Sequence, residues 1–147
     1  MVFLGWIYAV IAGAAMSVQG VFNTRLSEKI GLMESNAFVQ GTAFVLSLIA
    51  VFIFGKGNFA LIGQADKLYL TGGVLGLAIT VTVMLSMSAL SPTAAVSAIL
   101  VSQLIVAAVI DYFGWFGSEK MSFGWEKYVG IALMIIGILL FKGVFFK

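Results

Sequence analysis

The polar side chains inside the long apolar runs of this chain are mostly amides, not acids, bases or nucleophiles. Gln103 lies within the run 101–117, which continues to the carboxylate of Asp111 and then to an aromatic cluster with two glycines. An amide donates and accepts hydrogen bonds without carrying charge, so it can hold a polar ligand or join two helices. Both uses stay open for the other amides of this kind, which are Gln19, Asn23, Asn36 and Gln40.

The chain lacks the residue types on which most catalytic sites depend. It contains no cysteine and no histidine, which excludes disulfides, thiolate chemistry and the usual proton shuttle at neutral pH. The acids Glu34 and Asp111 come at the ends of apolar runs, and no acid lies in the middle of one. We therefore expect no enzyme activity, no cofactor and no metal site.

The composition indicates a protein whose solvent is lipid. Of the 147 residues, 62% are hydrophobic and 10% are charged, whereas a soluble domain is about half apolar and about a quarter charged. The formal net charge of +2 is too small and too dispersed to indicate a nucleic-acid partner. The expected surroundings are the lipid bilayer, and the first apolar run is predicted to be a retained helix because it lacks signal-peptide features.

Five apolar runs are long enough to cross a membrane, given that a spanning helix needs about 20 residues. In lipid each run should be helical, because every backbone group must find its partner within its own segment. The runs fill almost the whole chain, so we predict an all-α membrane protein with a single transmembrane domain over residues 1–147. The predicted helices cover residues 2–22, 33–54, 68–90, 93–113 and 124–145.

The links between the predicted helices are short and polar. Arg25, Glu28 and Lys29 predict a loop after the first helix. Glu34 and Ser35 suit the N-cap and first turn of the second helix, where a hydroxyl or carboxylate can accept hydrogen bonds from free backbone N–H groups.

Small residues mark a further tight link and several predicted packing faces. Ser91 and Pro92 leave almost no loop between the third and fourth helices, and proline loses nothing at a first helical position. These two helices are therefore predicted to form an antiparallel hairpin. Small residues also allow close helix approach in membranes. The glycines assigned to helix packing are Gly13, Gly72, Gly76, Gly130 and Gly137.

The basic residues are balanced across the predicted membrane. With five spans, one side carries Lys56, Lys67, Lys120 and Lys127, and the other carries Arg25, Lys29, Lys142 and Lys147. Orientation is normally set by an excess of basic residues on the cytoplasmic side, and no such excess exists here. The balance favours insertion in both orientations and an antiparallel homodimer of ten helices, the arrangement that inverted repeats build within one chain. The alternatives are a partner chain of opposite bias and a single orientation fixed by local folding.

The segment around Gln103 and Asp111 carries a resemblance to a known family. It resembles the signature of the small YdcZ-like inner-membrane family, which belongs to the drug/metabolite transporter (DMT) superfamily. One departure is Ser102, where the family pattern often has glycine. The residues that carry the resemblance are Gln103-Leu104, Asp111-Tyr112-Phe113-Gly114 and Gly117, supported by Gly13, Gln19, Asn23, Leu26, Gly72-Gly73 and Gly76.

The resemblance implies a five-helix half-transporter of the bacterial inner (plasma) membrane that dimerises with a second copy or a homologous chain. It implies export of a small-molecule substrate without naming one. The small multidrug resistance proteins of the same superfamily exchange protons for cations through a glutamate in the first helix. The first helix of this chain has no acid in its apolar run, so that mechanism is not supported here.

We therefore expect an exporter of a small polar or amphiphilic metabolite or drug that works by alternating access. Two other classes stay open, a dual-topology ion channel and a non-transporting membrane subunit. Arg25 of one copy and Asp111 of the other are predicted to form a gating ion pair, since an inverted dimer places them on the same side of the membrane. The predicted substrate-binding residues are Gln19, Asn23, Gln40, Ser102 and Gln103.

Because the chain has no cysteine, its topology can be tested without background labelling. We expect a Lys147→Cys variant to react with a membrane-impermeant maleimide both in intact spheroplasts and in inside-out vesicles, each labelling about half of the molecules if the two orientations are equally populated. An Asn58→Cys variant, on the opposite side of the predicted fold, should also label from both sides. Labelling of each cysteine from one side only would contradict dual insertion.

Overall fold

The computed structural model describes residues 2–122 and 124–141. Within these ranges the chain forms five α-helices joined by short links, and the described residues contain no β-strand. Three short 3-10 helices lie in the links, at Phe59–Gln64, Lys67–Thr71 and Trp115–Gly117. The α-helices are α1 (Val2–Ile30), α2 (Leu32–Phe54), α3 (Gly72–Ala89), α4 (Pro92–Phe113) and α5 (Trp125–Phe141).

Four of the five predicted membrane spans are long and apolar enough to cross a bilayer. They are α1, α2, the segment Lys67–Ala89 that includes α3, and α4. The fifth prediction is matched by α5, which has 17 described residues. The predicted end of that span, at residue 145, lies outside the described residues, so a fifth span stays a prediction.

The predicted loop after the first span is wrong, because Arg25, Glu28 and Lys29 continue α1 to Ile30. No glycine or proline interrupts this stretch, and Arg25 Nη1 lies 3.0 Å from Glu28 Oε2, one turn away on the same helix. At a rise of about 1.5 Å per residue, α1 is about 43 Å long. The hydrocarbon core is only about 30 Å thick, so α1 is long enough to cross it with its charged end in the headgroup region.

A single glycine joins α1 to α2. Gly31 has φ 101° and ψ 155°, a backbone conformation that is sterically strained for any residue with a side chain. Its N–H donates to Ser27 O and its carbonyl accepts from Ser35 N–H, both at 3.0 Å. Gly31 is thus the N-cap of α2, so the prediction that Glu34 or Ser35 caps this helix is wrong, whereas Glu34 does lie in the first turn as predicted. Ser35 lies inside the helix and is fully buried.

The link between α2 and α3 contains two capped 3-10 helices. Asn58 Oδ1 accepts from Ala60 N–H, and Asp66 Oδ1 accepts from Leu68 N–H, each at 2.9 Å. The α-helical part of the third span therefore begins at Gly72 instead of Leu68. The start of α4 was predicted correctly, since Ser91 Oγ accepts from Ala94 N–H at 3.3 Å and Pro92 occupies the first turn.

The residue contacts divide the chain into two units, Met1–Ala89 and Leu90–Lys147. In the first unit, α1 packs against α2 and α3, and α2 also packs against α3. In the second unit, α4 packs against α5. The prediction of a single transmembrane domain, and that of a hairpin between the third and fourth helices, stay predictions.

We expect Gly31→Ala to lower the stability of the protein in detergent, by about 1–3 kcal/mol, because alanine cannot relax into this backbone conformation. Gly41→Ala is the matched control, since Gly41 lies within α2 and a Cβ built there meets no atom within 4 Å. That substitution should leave stability unchanged or raise it slightly. The measurement is the thermal unfolding midpoint from helical circular dichroism. Equal midpoints for the two variants would contradict the assignment of Gly31 as a conformational requirement.

Candidate functional site

The first unit reverses the usual arrangement of polar and apolar side chains. Large apolar side chains cover its outside, and Phe52 for example is 88% exposed. Its buried positions include polar residues on two helices, which are Asn23 and Thr24 on α1 and Ser35 and Asn36 on α2. We call these four residues the polar core. Polar groups enclosed by membrane helices are rare and commonly functional, so the polar core is the candidate site.

The hydroxyl groups of the polar core are satisfied by backbone carbonyls. Ser35 Oγ donates to Asn23 O at 3.2 Å, which joins α2 to α1. Thr24 Oγ1 donates to Gly20 O at 2.8 Å within α1. Such bonds tie helices together where lipid provides no hydrophobic force between them.

The amides of the polar core are not satisfied in the same way. Asn36 Oδ1 is buried and has no hydrogen-bond partner. Across residues 2–122 and 124–141, neither the Asn36 nor the Asn23 side chain makes a hydrogen bond to another described group. Their residues are only 4% and 7% exposed, respectively. The Asn36 oxygen is thus a buried acceptor that remains available to a ligand, and the Asn23 amide is free of partners among the described residues.

Gln40 turns away from the polar core toward α3. Its Nε2 lies 3.5 Å from Thr80 Oγ1, a long hydrogen bond that joins α2 to α3. A Cβ placed on Gly76 would lie 3.6 Å from the same nitrogen, an ordinary van der Waals distance, so Gly76 lies beside the Gln40 amide. Thr80 Oγ1 itself donates to Gly76 O at 2.8 Å.

Gln19 lies on the exposed side of α1, one turn before Asn23. Both residues line a shallow groove along α1 whose other walls are apolar. The four amides therefore have different surroundings: Asn36 is enclosed, Asn23 is mostly buried but reaches the groove, Gln40 bridges to α3, and Gln19 is exposed. The apolar residues of the groove are Ile11, Ala14, Ala15, Val18 and Phe22.

Gly20 was not among the predicted packing glycines, yet side chains of α3 pack directly against it. A Cβ placed there would lie 2.6 Å from Met87 Cε and 3.2 Å from Val83 Cγ1. Met84 and Met87 are among the few buried apolar side chains of the described residues. The sequence contains one indication of this packing role, since Gly20 adjoins Gln19 and lies one turn before Thr24 on the same face of α1.

The other predicted packing glycines meet open space within their own units. A Cβ placed on any of them finds no atom within 4 Å. Their packing role stays a prediction, and it concerns surfaces beyond the contacts described within each unit. These positions are Gly13, Gly72, Gly130 and Gly137.

The second unit holds the remaining predicted binding residues on α4. Ser102 and Gln103 are both exposed, and Ser102 lines an apolar groove between α4 and α5. The Gln103 amide makes no hydrogen bond within the described part of the chain. Gln103 therefore presents an unpaired amide in the middle of an apolar helix.

Asp111 lies in the last turn of α4, as predicted for a boundary residue. Its side chain is half-buried, and its backbone carbonyl accepts from Met121 N–H at 2.9 Å. The helix ends at Gly114, whose φ of 68° is the left-handed conformation common at helix C-termini. The rings of Phe113 and Trp115 stack there, 5.0 Å apart, and aromatic rings of this kind suit the membrane interface.

Arg25, the predicted partner of Asp111 in a second copy, pairs with Glu28 in its own helix. The Arg25 side chain is 75% exposed and that of Glu28 is 45% exposed. An exposed pair of this kind contributes about 0.3–0.5 kcal/mol to the stability of the fold. Arg25 can therefore exchange Glu28 for another partner with little loss of stability. The described residues contain no group of three or more acids that could hold a metal ion.

Comparison with known proteins identifies a family. The model described as "Putative inner membrane exporter, YdcZ" matches residues 4–140, which include nearly all of α1 to α5. No curated protein and no solved structure matches the chain.

Proposed function

The chain belongs to the YdcZ family of inner-membrane proteins, and from this premise we propose that it is one half of an exporter. The exported molecule is a small polar or amphiphilic metabolite or drug. Two copies in opposite orientations enclose the pathway and expose it to each side of the membrane in turn. The observation that carries the proposal is the buried side-chain oxygen of Asn36, which has no hydrogen-bond partner although it lies among apolar helices.

The substrate pathway in this proposal uses amides from both units. Gln19 and Asn23 line one open groove, and Gln103 presents its amide from α4. An unpaired amide facing lipid is unfavourable, because hydrocarbon offers no hydrogen-bond partner. A water-filled or substrate-filled pathway supplies the partners. The residues assigned to it are Gln19, Asn23, Gln40, Ser102 and Gln103.

The inverted dimer is supported by the balance of basic residues across the predicted membrane, four on each side. Under the positive-inside rule a chain without bias has no preferred orientation. Two inverted copies of a five-helix chain give a ten-helix transporter with a pseudo-twofold axis in the membrane plane. Arg25 and Asp111 of opposite copies then close one end of the pathway as an ion pair.

Proteoliposomes loaded with a small-molecule extract from bacteria distinguish the three functional classes. We expect a few compounds to leave the vesicles with saturable kinetics, as identified by mass spectrometry against protein-free liposomes. A channel would instead collapse an imposed ion gradient rapidly and without saturation. Retention of every compound together with an intact ion gradient would indicate a non-transporting subunit and would contradict the proposal.

The proposed gate is tested by charge exchange in the same assay. We expect Arg25→Asp and Asp111→Arg each to reduce the saturable efflux at least about tenfold, since each places like charges together at the proposed contact. The double variant should recover much of the lost activity. Glu28→Gln is the matched control, because it removes the intrahelical pair of Arg25 and leaves the proposed gate intact. A double variant no better than either single variant would exclude direct pairing.

A further inference from the structure

The Asn36 side-chain oxygen is a buried hydrogen-bond acceptor without a donor. The residue is 4% exposed, and Asn36 Oδ1 has no partner. An unpaired polar group in an apolar interior is destabilising, and natural proteins contain few of them. Such a group calls for a specific occupant.

The surrounding polar core has no hydroxyl donor to spare for Asn36. The Ser35 hydroxyl donates its hydrogen bond to Asn23 O, and the Thr24 hydroxyl donates to Gly20 O. A hydroxyl group has only one proton to donate. Within the polar core the Asn23 amide is therefore the remaining side-chain donor, and any other donor for Asn36 comes from outside the core, as a bound molecule would supply.

The charges around the polar core oppose a cationic occupant. The core contains no carboxylate. The two nearest acids in the chain are Glu28, which already pairs with Arg25, and Glu34, which is exposed. Burying a cation without a counter-charge is far less favourable than burying a neutral hydroxyl or amide that is hydrogen-bonded.

We propose that the polar core recognises an uncharged ligand through a hydroxyl or amide group that donates to Asn36 Oδ1. Ser35, the neighbour of Asn36, donates to the Asn23 backbone, and Asn23 lines the groove on α1. The apolar residues of that groove offer a surface for a hydrocarbon portion of the ligand. The ligand class is thus a neutral amphiphile with a hydrogen-bond donor. This inference rests on the proposed function in one respect, since it names the substrate class of that exporter.

The test compares two probes with the same six-carbon chain, neutral hexanamide and cationic hexyltrimethylammonium. Each is titrated against the purified full-length protein in lipid nanodiscs, and the shift in thermal unfolding midpoint gives an apparent affinity. We expect a saturable upward shift with hexanamide and no saturable shift with hexyltrimethylammonium. Equal responses to both probes, or a preference for the cation, would overturn the proposal.

Three variants connect the response to Asn36. Asn36→Leu removes the unpaired acceptor, so it should raise the unfolding midpoint in the absence of ligand. It should also lower the affinity for hexanamide about tenfold, which is the effect of roughly one lost hydrogen bond. Asn36→Asp keeps the shape and adds a negative charge, so it should shift the preference toward hexyltrimethylammonium. Thr42→Val is the matched control on α2, because Thr42 is exposed and its hydroxyl donates only to carbonyls of its own helix. This variant should change neither the unfolding midpoint nor the affinity for hexanamide.

The outcomes separate a binding site from a structural asparagine. A lower midpoint for Asn36→Leu, or an unchanged affinity for hexanamide in both Asn36 variants, would show that Asn36 is structural and would overturn the inference. Binding that depends on Asn36, in a protein that releases no compound from liposomes, would uphold the site and reject the exporter. Saturable efflux that is unaltered in both Asn36 variants would uphold the exporter and reject the site.

Discussion

The hydrogen bond from Ser35 to the backbone of Asn23 is the interaction on which the first unit depends. In a bilayer, helices gain nothing from hiding apolar side chains from one another, since lipid tails are equally apolar. Close contact and interhelical hydrogen bonds must hold them instead. The Gly31 turn brings the start of α2 beside the end of α1, so that Ser35 faces Asn23. Gly20 then allows α3 to approach α1 through Met87.

This mode of packing puts stability and binding in competition within one small region. Ser35 and Thr24 contribute to the fold because each hydroxyl has a partner. Asn36 does not, because its oxygen has none. Leucine, of similar size, would fill the same space without a polar group to satisfy, and strain or unsatisfied groups kept by natural proteins are concentrated at functional sites. The presence of asparagine therefore favours a role in recognition over a role in folding.

The sequence predicted the spans well and the surroundings of individual amides poorly. Hydropathy located α2 and α4 to within a residue at each end, because apolar runs and the Ser91-Pro92 start leave little choice. It ended α1 too early, since the stretch from Asn23 to Ile30 is mostly polar yet continues the helix. Gln19 and Asn23, one turn apart, both line the groove on α1. Gln19 is exposed and Asn23 is buried because of where α2 and α3 pack against α1. The residues of α1 alone do not determine that packing.

The two units share one feature that bears on assembly. Asn36 in the first unit is enclosed and unpaired, and Gln103 in the second is exposed and unpaired. A bilayer can satisfy neither group, so each requires protein, water or ligand beyond the contacts that its own unit supplies. The charged residues predicted at the membrane boundary do not share this requirement, because headgroups and water can solvate Arg25 and Asp111 without a protein partner. Amide satisfaction, more than charge pairing, is therefore the stronger physical reason to expect that this chain works as part of a larger assembly enclosing a polar pathway.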